Sequence, residues 1–261
     1  MHSNEFFTFA TGQATDVGKV RTVNEDAFLS RPEAGLWVVA DGMGGHAAGD
    51  FASQAIVHQL YSVGMPGSGA DFQARFIERL GRANDAIAAH ARELGEGSIG
   101  ATVVALLIDG PDYACIWAGD SRIYLLRDGV LTQQTRDHTE VQALLDAGSI
   151  TPEEAENWAR KNVITRAIGV SRTPDCEVVG GRLKPGDRFV LCSDGLTGHL
   201  SDADIASIVA RYDPQEACDR LVALTLERGA RDNVTVIVMQ CLPPPPSPDG
   251  EADPELEVLR E

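Results

Sequence analysis

An apolar run, Trp37 to Ala40, leads straight into Asp41 and then into Gly42, Met43, Gly44 and Gly45. An apolar run closed by a glycine-rich turn predicts a buried strand and a tight loop, with Asp41 at the strand's exit. Helical spacing follows. Over residues 46–62, Phe51, Ala55, Ile56, Leu60 and Tyr61 predict one helix, and a second runs from Asp71, read as its N-cap, to Glu93, burying Phe72, Phe76, Leu80 and Ile87. Strands are predicted at Ala101 to Ile108, Tyr113 to Trp117 and Arg122 to Arg127, and the turns Asp109-Gly110 and Asp128-Gly129 make them antiparallel neighbours.

The stretch from Asp137 to Pro174 breaks this rhythm. Val141, Leu144 and Leu145 mark a short helix, and Thr151, Pro152 and Glu154 supply the N-cap, first-turn proline and capping-box acid of another. Strands return at Glu177 to Val179 and Arg188 to Cys192. Helices then start near Ser201 and Asp213, the latter with Pro214 at its first position and Gly229 as its stop, and Val234 to Gln240 closes the series. Strand groups alternating with helix pairs suit several α+β layouts.

An Asp-Gly pair alone is an ordinary turn. Here the arrangement recurs: Asp120 ends one apolar run, Asp194 ends another, Asp232 precedes a third, and Arg21, Glu25 and Asp26 stand together upstream. Carboxylates at strand ends suit hard divalent cations such as Mg²⁺ or Mn²⁺, which prefer oxygen ligands to Cys or His.

In this order the segments RTVNED, VVADGMGGH, GATVVALL, AGDSRIYLLRDG, NVITRAIG, LCSDGLT and RDNVTVIV resemble the metal-dependent Ser/Thr protein phosphatases of type 2C, the PPM family. They span about residues 12–240. The resemblance implies a four-layer αββα sandwich, two antiparallel sheets flanked by helices, with residues 1–241 as one phosphatase domain and about 137–174 as the flap associated with substrate choice. It implies two Mn²⁺ or Mg²⁺ ions, with room for a third, activating a bridging water that attacks phosphoserine or phosphothreonine without a covalent enzyme intermediate. Asp41 matches the acid bridging both metals, the Gly42 carbonyl a ligand of the second, and Asp194 and Asp232 ligands of the first. Glu25 and Asp26 match acids that hold metal-bound waters, Asp120 the acid of a third metal, and Arg21 the phosphate-binding arginine, whose planar fork suits two phosphoryl oxygens. The implied partners are phosphorylated proteins and a cognate Ser/Thr kinase. One position departs from many eukaryotic members, which carry His after the Asp-Gly. Met43 cannot protonate a leaving alkoxide, so a metal-bound water or another group must, and His46 is read as a turn or helix-start residue. The DGMGG form resembles bacterial members.

Composition narrows the alternatives. A formal net charge of −17 over 261 residues excludes a basic face for nucleic acid or anionic membrane. From Leu242 onward six of the thirteen prolines and six acids predict a mobile, solvated tail. No basic leader and no ~20-residue apolar run is present, so a cytoplasmic protein is expected, and a monomer. Five scattered cysteines without a CxxC pair read as reduced thiols. Two rival functions remain. Cys176 to Arg182 has the C-x5-R spacing of cysteine-dependent phosphatases, although Asp175 and Glu177 beside the thiol oppose a thiolate. A catalytically silent phosphoprotein-binding relative would be expected to lack one of the metal acids, and none is missing.

Overall fold

The computed structural model describes residues 2–3, 6–44, 48–95, 98–160 and 162–244. In chain order its strands are β1 (His2–Ser3), β2 (Thr8–Asp16), β3 (Asp26–Arg31), β4 (Leu36–Met43), β5 (Gly100–Ala101), β6 (Val103–Asp109), β7 (Asp112–Ala118), β8 (Arg122–Arg127), β9 (Val130–Gln133), β10 (Glu177–Arg182), β11 (Arg188–Cys192) and β12 (Val234–Leu242). The helices are α1 (Ala48–Tyr61), α2 (Gly69–Leu94), α3 (Glu140–Asp146), α4 (Pro152–Glu156), α5 (Asp194–Thr197), α6 (Asp202–Arg211) and α7 (Pro214–Glu227).

The strands form two sheets, ordered β1-β2-β12-β11-β8-β9 and β10-β7-β6-β4-β3, with β5 paired to β4. Every pairing is antiparallel. Successive side chains of a strand point to opposite faces, and β4 uses both faces for burial. Leu36, Val38 and Ala40 join α1 and α2 in one apolar core. Trp37 and Val39 face the opposite way, into a core shared with Phe189, Leu191, Ile237 and Met239 of the other sheet. A third core packs the outer face of β8, β11 and β12 against α6 and α7. Three cores between four layers make the αββα sandwich that the resemblance implies.

Helix ends follow capping chemistry. Thr151 and Ser201 form reciprocal capping boxes with Glu154 and Asp204, and Asp213 caps α7 ahead of Pro214. The expected N-cap Asp71 is corrected: Ser68 is the cap, and its hydroxyl accepts from the Asp71 N–H at 3.3 Å while the Asp71 carboxylate accepts from Gly67 N–H at 2.9 Å. Gly69 and Ala70, which lack an apolar signal, form the first turn.

Other boundaries differ for tertiary reasons. Asp41 lies within β4 and not at its exit, because Gly42 and Met43 go on to pair with Ala101 and Gly100. The single strand read from Ala101 to Ile108 is interrupted at Thr102, whose N–H donates to the Asp41 carbonyl at 2.8 Å. Strands β2, β3 and β9 carry no clear apolar signal and are held by their partners' ladders. β12 extends through Leu242, so the tail read from that residue begins later, and residues 245–261 lie outside the described residues. His46 lies outside them as well. No helix among the described residues is long and apolar enough to cross a membrane.

Both faces of α2 can be tested by one substitution each. Ile87 is fully buried and Ile77 is 41% exposed. Ile87→Ala should cost about 2–5 kcal/mol in urea unfolding, and Ile77→Ala should stay within about 0.5 kcal/mol.

Candidate metal centre

The alternation that buries Trp37 and Val39 between the sheets places Asp41 on the same face, where a third apolar side chain would continue the core. Directly across the ladder from Asp41 stands Asp26. Asp26 is only 6% exposed, and its Oδ2 accepts from the Ser193 hydroxyl at 2.8 Å. Its Oδ1 is buried without a hydrogen-bond partner among the described residues. Asp194 opens α5 immediately after β11, Asp120 follows β7, and Asp232 precedes β12. Two sheets thus deliver five aspartates to one end of the sandwich.

Their mutual electrostatics shows how close they are. Burial, followed by the charges of Asp194 and Asp232, pushes Asp26 up to about 7 against two opposing hydroxyl hydrogen bonds. Burial and Asp194 push Asp120 up to about 7. Asp41 is held well above the carboxylate range by burial, then by Asp26, Asp194, Asp120 and Asp232. Burial and Asp232 raise Asp194, which shares a side-chain hydrogen bond with Asp41 that acts the other way. Glu25 is raised by burial against the pull of Arg21. Like charges this close in a low-dielectric pocket hold protons unless another cation replaces them.

Arg21 stands at the mouth. It donates to Asp232 Oδ2 at 2.8 Å and lies 3.9 Å from Glu25 Oε2, with 48% of its side chain exposed. Arg21, Glu25, Asp26, Asp41, Asp120, Asp194 and Asp232 are thus linked by their mutual electrostatics, and Gly42 follows Asp41 on β4. A Cβ on Gly42 would fall 2.0 Å from the Gly49 carbonyl oxygen and 2.7 Å from that of Glu25, so only glycine lets these backbones meet.

Sequence reading missed the polar residues that hold the acids in place. Asn233 accepts from Glu25 N–H at 2.8 Å and donates to the carbonyls of Val17 and Val23, both at 2.9 Å, pinning the loop that carries Arg21. The Thr102 hydroxyl accepts from Asp41 N–H at 3.2 Å and pairs with the Ser121 hydroxyl at 2.7 Å. The Ser193 hydroxyl that reaches Asp26 also accepts from Thr235 N–H at 3.0 Å. Their only sequence signal is adjacency: Asn233 follows Asp232, Ser193 precedes Asp194, and Ser121 follows Asp120.

The residues fit divalent cations by the chemistry of the donor set: all oxygen, mutually repelling, with one buried carboxylate oxygen unpartnered. Among the described residues no three Asp, Glu, His or Cys side chains converge closely enough to hold an ion by themselves. Backbone carbonyl and water ligands complete such sites, and uncompensated carboxylates stand apart. Cys176 does not compete. Burial, then Asp175, pushes its thiol up to about 12, and β10 extends between it and Arg182, separating them by roughly 20 Å at ~3.3 Å per residue. The C-x5-R reading is thereby overturned.

Residues 18–224 match the family model for protein phosphatase 2C. The chain belongs to the protein phosphatase 2C family. It is 40% identical over 225 residues to the serine/threonine protein phosphatase PstP of Mycobacterium tuberculosis, covering 86% of this chain and 43% of that one. The chain thus spans under half the length of that relative. Among solved structures it is similar to PppA, described as a key regulatory component of T6SS in Pseudomonas aeruginosa, with TM-score 0.84, 40% identity, and 91% and 100% of the two chains covered. It is also similar to the PstP catalytic domain in complex with two manganese ions, with TM-score 0.82, 38% identity, and 91% and 99% covered. The protein phosphatase 2C assignment and the acidic cluster agree on metal dependence.

Linkage gives the cluster a signature in stability. Asp26, Asp41, Asp120 and Asp194 bind protons more tightly folded than unfolded, where carboxylates titrate near ~4. Between about pH 4 and about 7 the folded metal-free chain therefore holds more protons, and its stability falls as pH rises through that window. Differential scanning calorimetry in EDTA should show Tm dropping by about 5 °C from pH 5 to pH 8. Mn²⁺ should recover the loss at pH 8 and add little at pH 5. A Tm that rises over this interval without metal would contradict the cluster.

Proposed function

We propose that this chain is a metal-dependent phosphatase that hydrolyses phosphoserine and phosphothreonine on proteins and so reverses a Ser/Thr kinase. The observation that carries the reading is the burial of Asp26, Asp41, Asp120 and Asp194 against one another, with proton affinity raised in spite of the opposing charges of Arg21 and Arg122. Such a cluster repels a phosphate dianion until cations cancel it, so metal is required for substrate entry as well as for chemistry.

Asp41, Asp194 and Asp232, with the Gly42 carbonyl, would hold two Mn²⁺ or Mg²⁺ ions, Asp26 and Glu25 would act through water, and Asp120 would serve a third. When bound, the ions supply charge neutralisation, a nucleophilic water at neutral pH and stabilisation of the phosphoryl oxygens. The chain's own part is to position. β3 and β4 fix Asp26 opposite Asp41 at one rung of a ladder, and Asn233 and Thr102 fix the loops around them. Arg21, tethered by Asp232 yet half exposed, presents its fork where a phosphoryl group would enter. Catalysis by placement of charge suits phosphoryl transfer, whose transition state asks for positioning and electrostatic stabilisation more than covalent help. The chain acts as a cytoplasmic monomer in this reading.

Hydrolysis of a phosphothreonine peptide should require Mn²⁺ or Mg²⁺ and cease in EDTA. Asp194→Asn should lower kcat by about a thousandfold and Arg21→Ala should raise KM by about tenfold, while Cys176→Ser should stay within about twofold. Hydrolysis that persists in EDTA would defeat the proposal.

A further inference from the structure

One buried histidine outside the acidic cluster is bonded to the backbone that carries Asp120. His138 is 8% exposed and lies parallel to Trp117, with ring centroids 6.0 Å apart. Its Nδ1 accepts from Gly119 N–H at 3.2 Å, and the His138 backbone N–H donates to the Gly119 carbonyl at 2.9 Å. Nδ1 is therefore a lone-pair acceptor and the ring proton sits on Nε2, which faces Glu177 Oε1 at 3.3 Å. Arg166 donates to that same Glu177 oxygen at 2.9 Å and pairs with Asp175 at 3.0 Å. On the main chain, the His138 carbonyl accepts from Thr165 N–H at 2.7 Å.

Gly119 has little freedom to find another partner. It adopts φ +112°, and a Cβ there would fall 2.5 Å from Thr102, the residue that brackets the Asp41 backbone. With Gly119 wedged against Thr102, the imidazole is what satisfies its buried N–H, and Asp120 follows directly. Asp120 in turn belongs to the carboxylate cluster, where it and Asp194 repel each other. Beside the histidine, Asp137 is clamped by Arg122 Nε and Nη2 at 2.9 and 2.7 Å, so the segment bearing the ring is itself fixed.

We propose that His138 is a positioning residue for the metal centre. Its Nδ1 holds the Gly119–Asp120 backbone in register, and cation affinity depends on that bond. The inference rests on the metal-centre reading above and adds a residue that touches no ligand. Outer-shell hydrogen bonds of this type alter metal affinity by about 10- to 100-fold when lost.

Three substitutions separate the two ring nitrogens. His138→Asn keeps an acceptor near the Nδ1 position, His138→Gln places its amide near Nε2, and His138→Leu removes both. Calorimetric titration of the EDTA-stripped full chain with Mn²⁺ is the primary readout, alongside the Mn²⁺ concentration for half-maximal peptide hydrolysis and the metal-free Tm. His138→Leu and His138→Gln should weaken the weakest resolved Mn²⁺ step by about tenfold, while His138→Asn stays within about threefold of wild type with KM for the peptide unchanged. If His138→Leu does not fold, the Asn and Gln pair decides. Equal weakening in Asn and Gln, or a lowered Tm with unchanged Mn²⁺ isotherms, overturns the positioning role and leaves the metal centre standing. A wild-type chain that binds no Mn²⁺ overturns both.

Discussion

Repulsion among buried carboxylates is the constraint on which this structure turns. Five aspartates gather at one end of a sandwich with Glu25 nearby, and burial together with the charges of Asp26, Asp120, Asp194 and Asp232 raises the proton affinity of neighbouring aspartates. An assembly of this kind is unfavourable in itself and persists because the surrounding scaffold leaves the acids nowhere else to go. Three separate apolar cores supply that scaffold. Burial of apolar surface contributes about 25 cal/mol per Å², is indifferent to pH, and so outweighs a local electrostatic cost that cations then remove.

Rigidity reaches the acids through backbone more than through their own side chains. Asp41 is gripped by Thr102 through both its N–H and its carbonyl. Glu25, Val17 and Val23 converge on the single amide of Asn233, which itself abuts Gly195: a Cβ there would stand inside bonding distance of the Asn233 carbonyl oxygen. Close backbone approach at Gly42, Gly49 and Gly195 draws strands of both sheets and the start of α1 to one point. Acids held through their backbone in this way suit preorganised electrostatics.

Membership of the protein phosphatase 2C family explains why these features occur together. The match over residues 18–224 takes in Glu25, Asp26, Asp41, Asp120 and Asp194, and the similar PstP catalytic domain was crystallised with two manganese ions. The segment between β9 and β10, with its short helices α3 and α4, is attached by Ile168, which enters the core of α1 and α2 and pairs with Ala101, and by polar bonds through Arg122, His138 and Arg166. Neither α3 nor α4 has a fully buried residue.

The acids themselves were legible in the sequence because each adjoins an apolar run, and such punctuation survives without any knowledge of partners. Helix caps at Thr151, Ser201 and Asp213 were legible for the same reason, since capping is settled within four residues. β2, β3 and β9 were not, because their apolar positions are few and their ladders are completed by residues far away in the chain, as in the pairing of Thr8–Asp16 with Val234–Leu242. Local pattern thus determined where the acids stand along the chain and most of the elements around them. Only the tertiary structure decided that Asp26 faces Asp41, that Asn233 and Thr102 fix their loops and that His138 holds Gly119, because cross-strand register and long-range hydrogen bonds have no signature within any one segment.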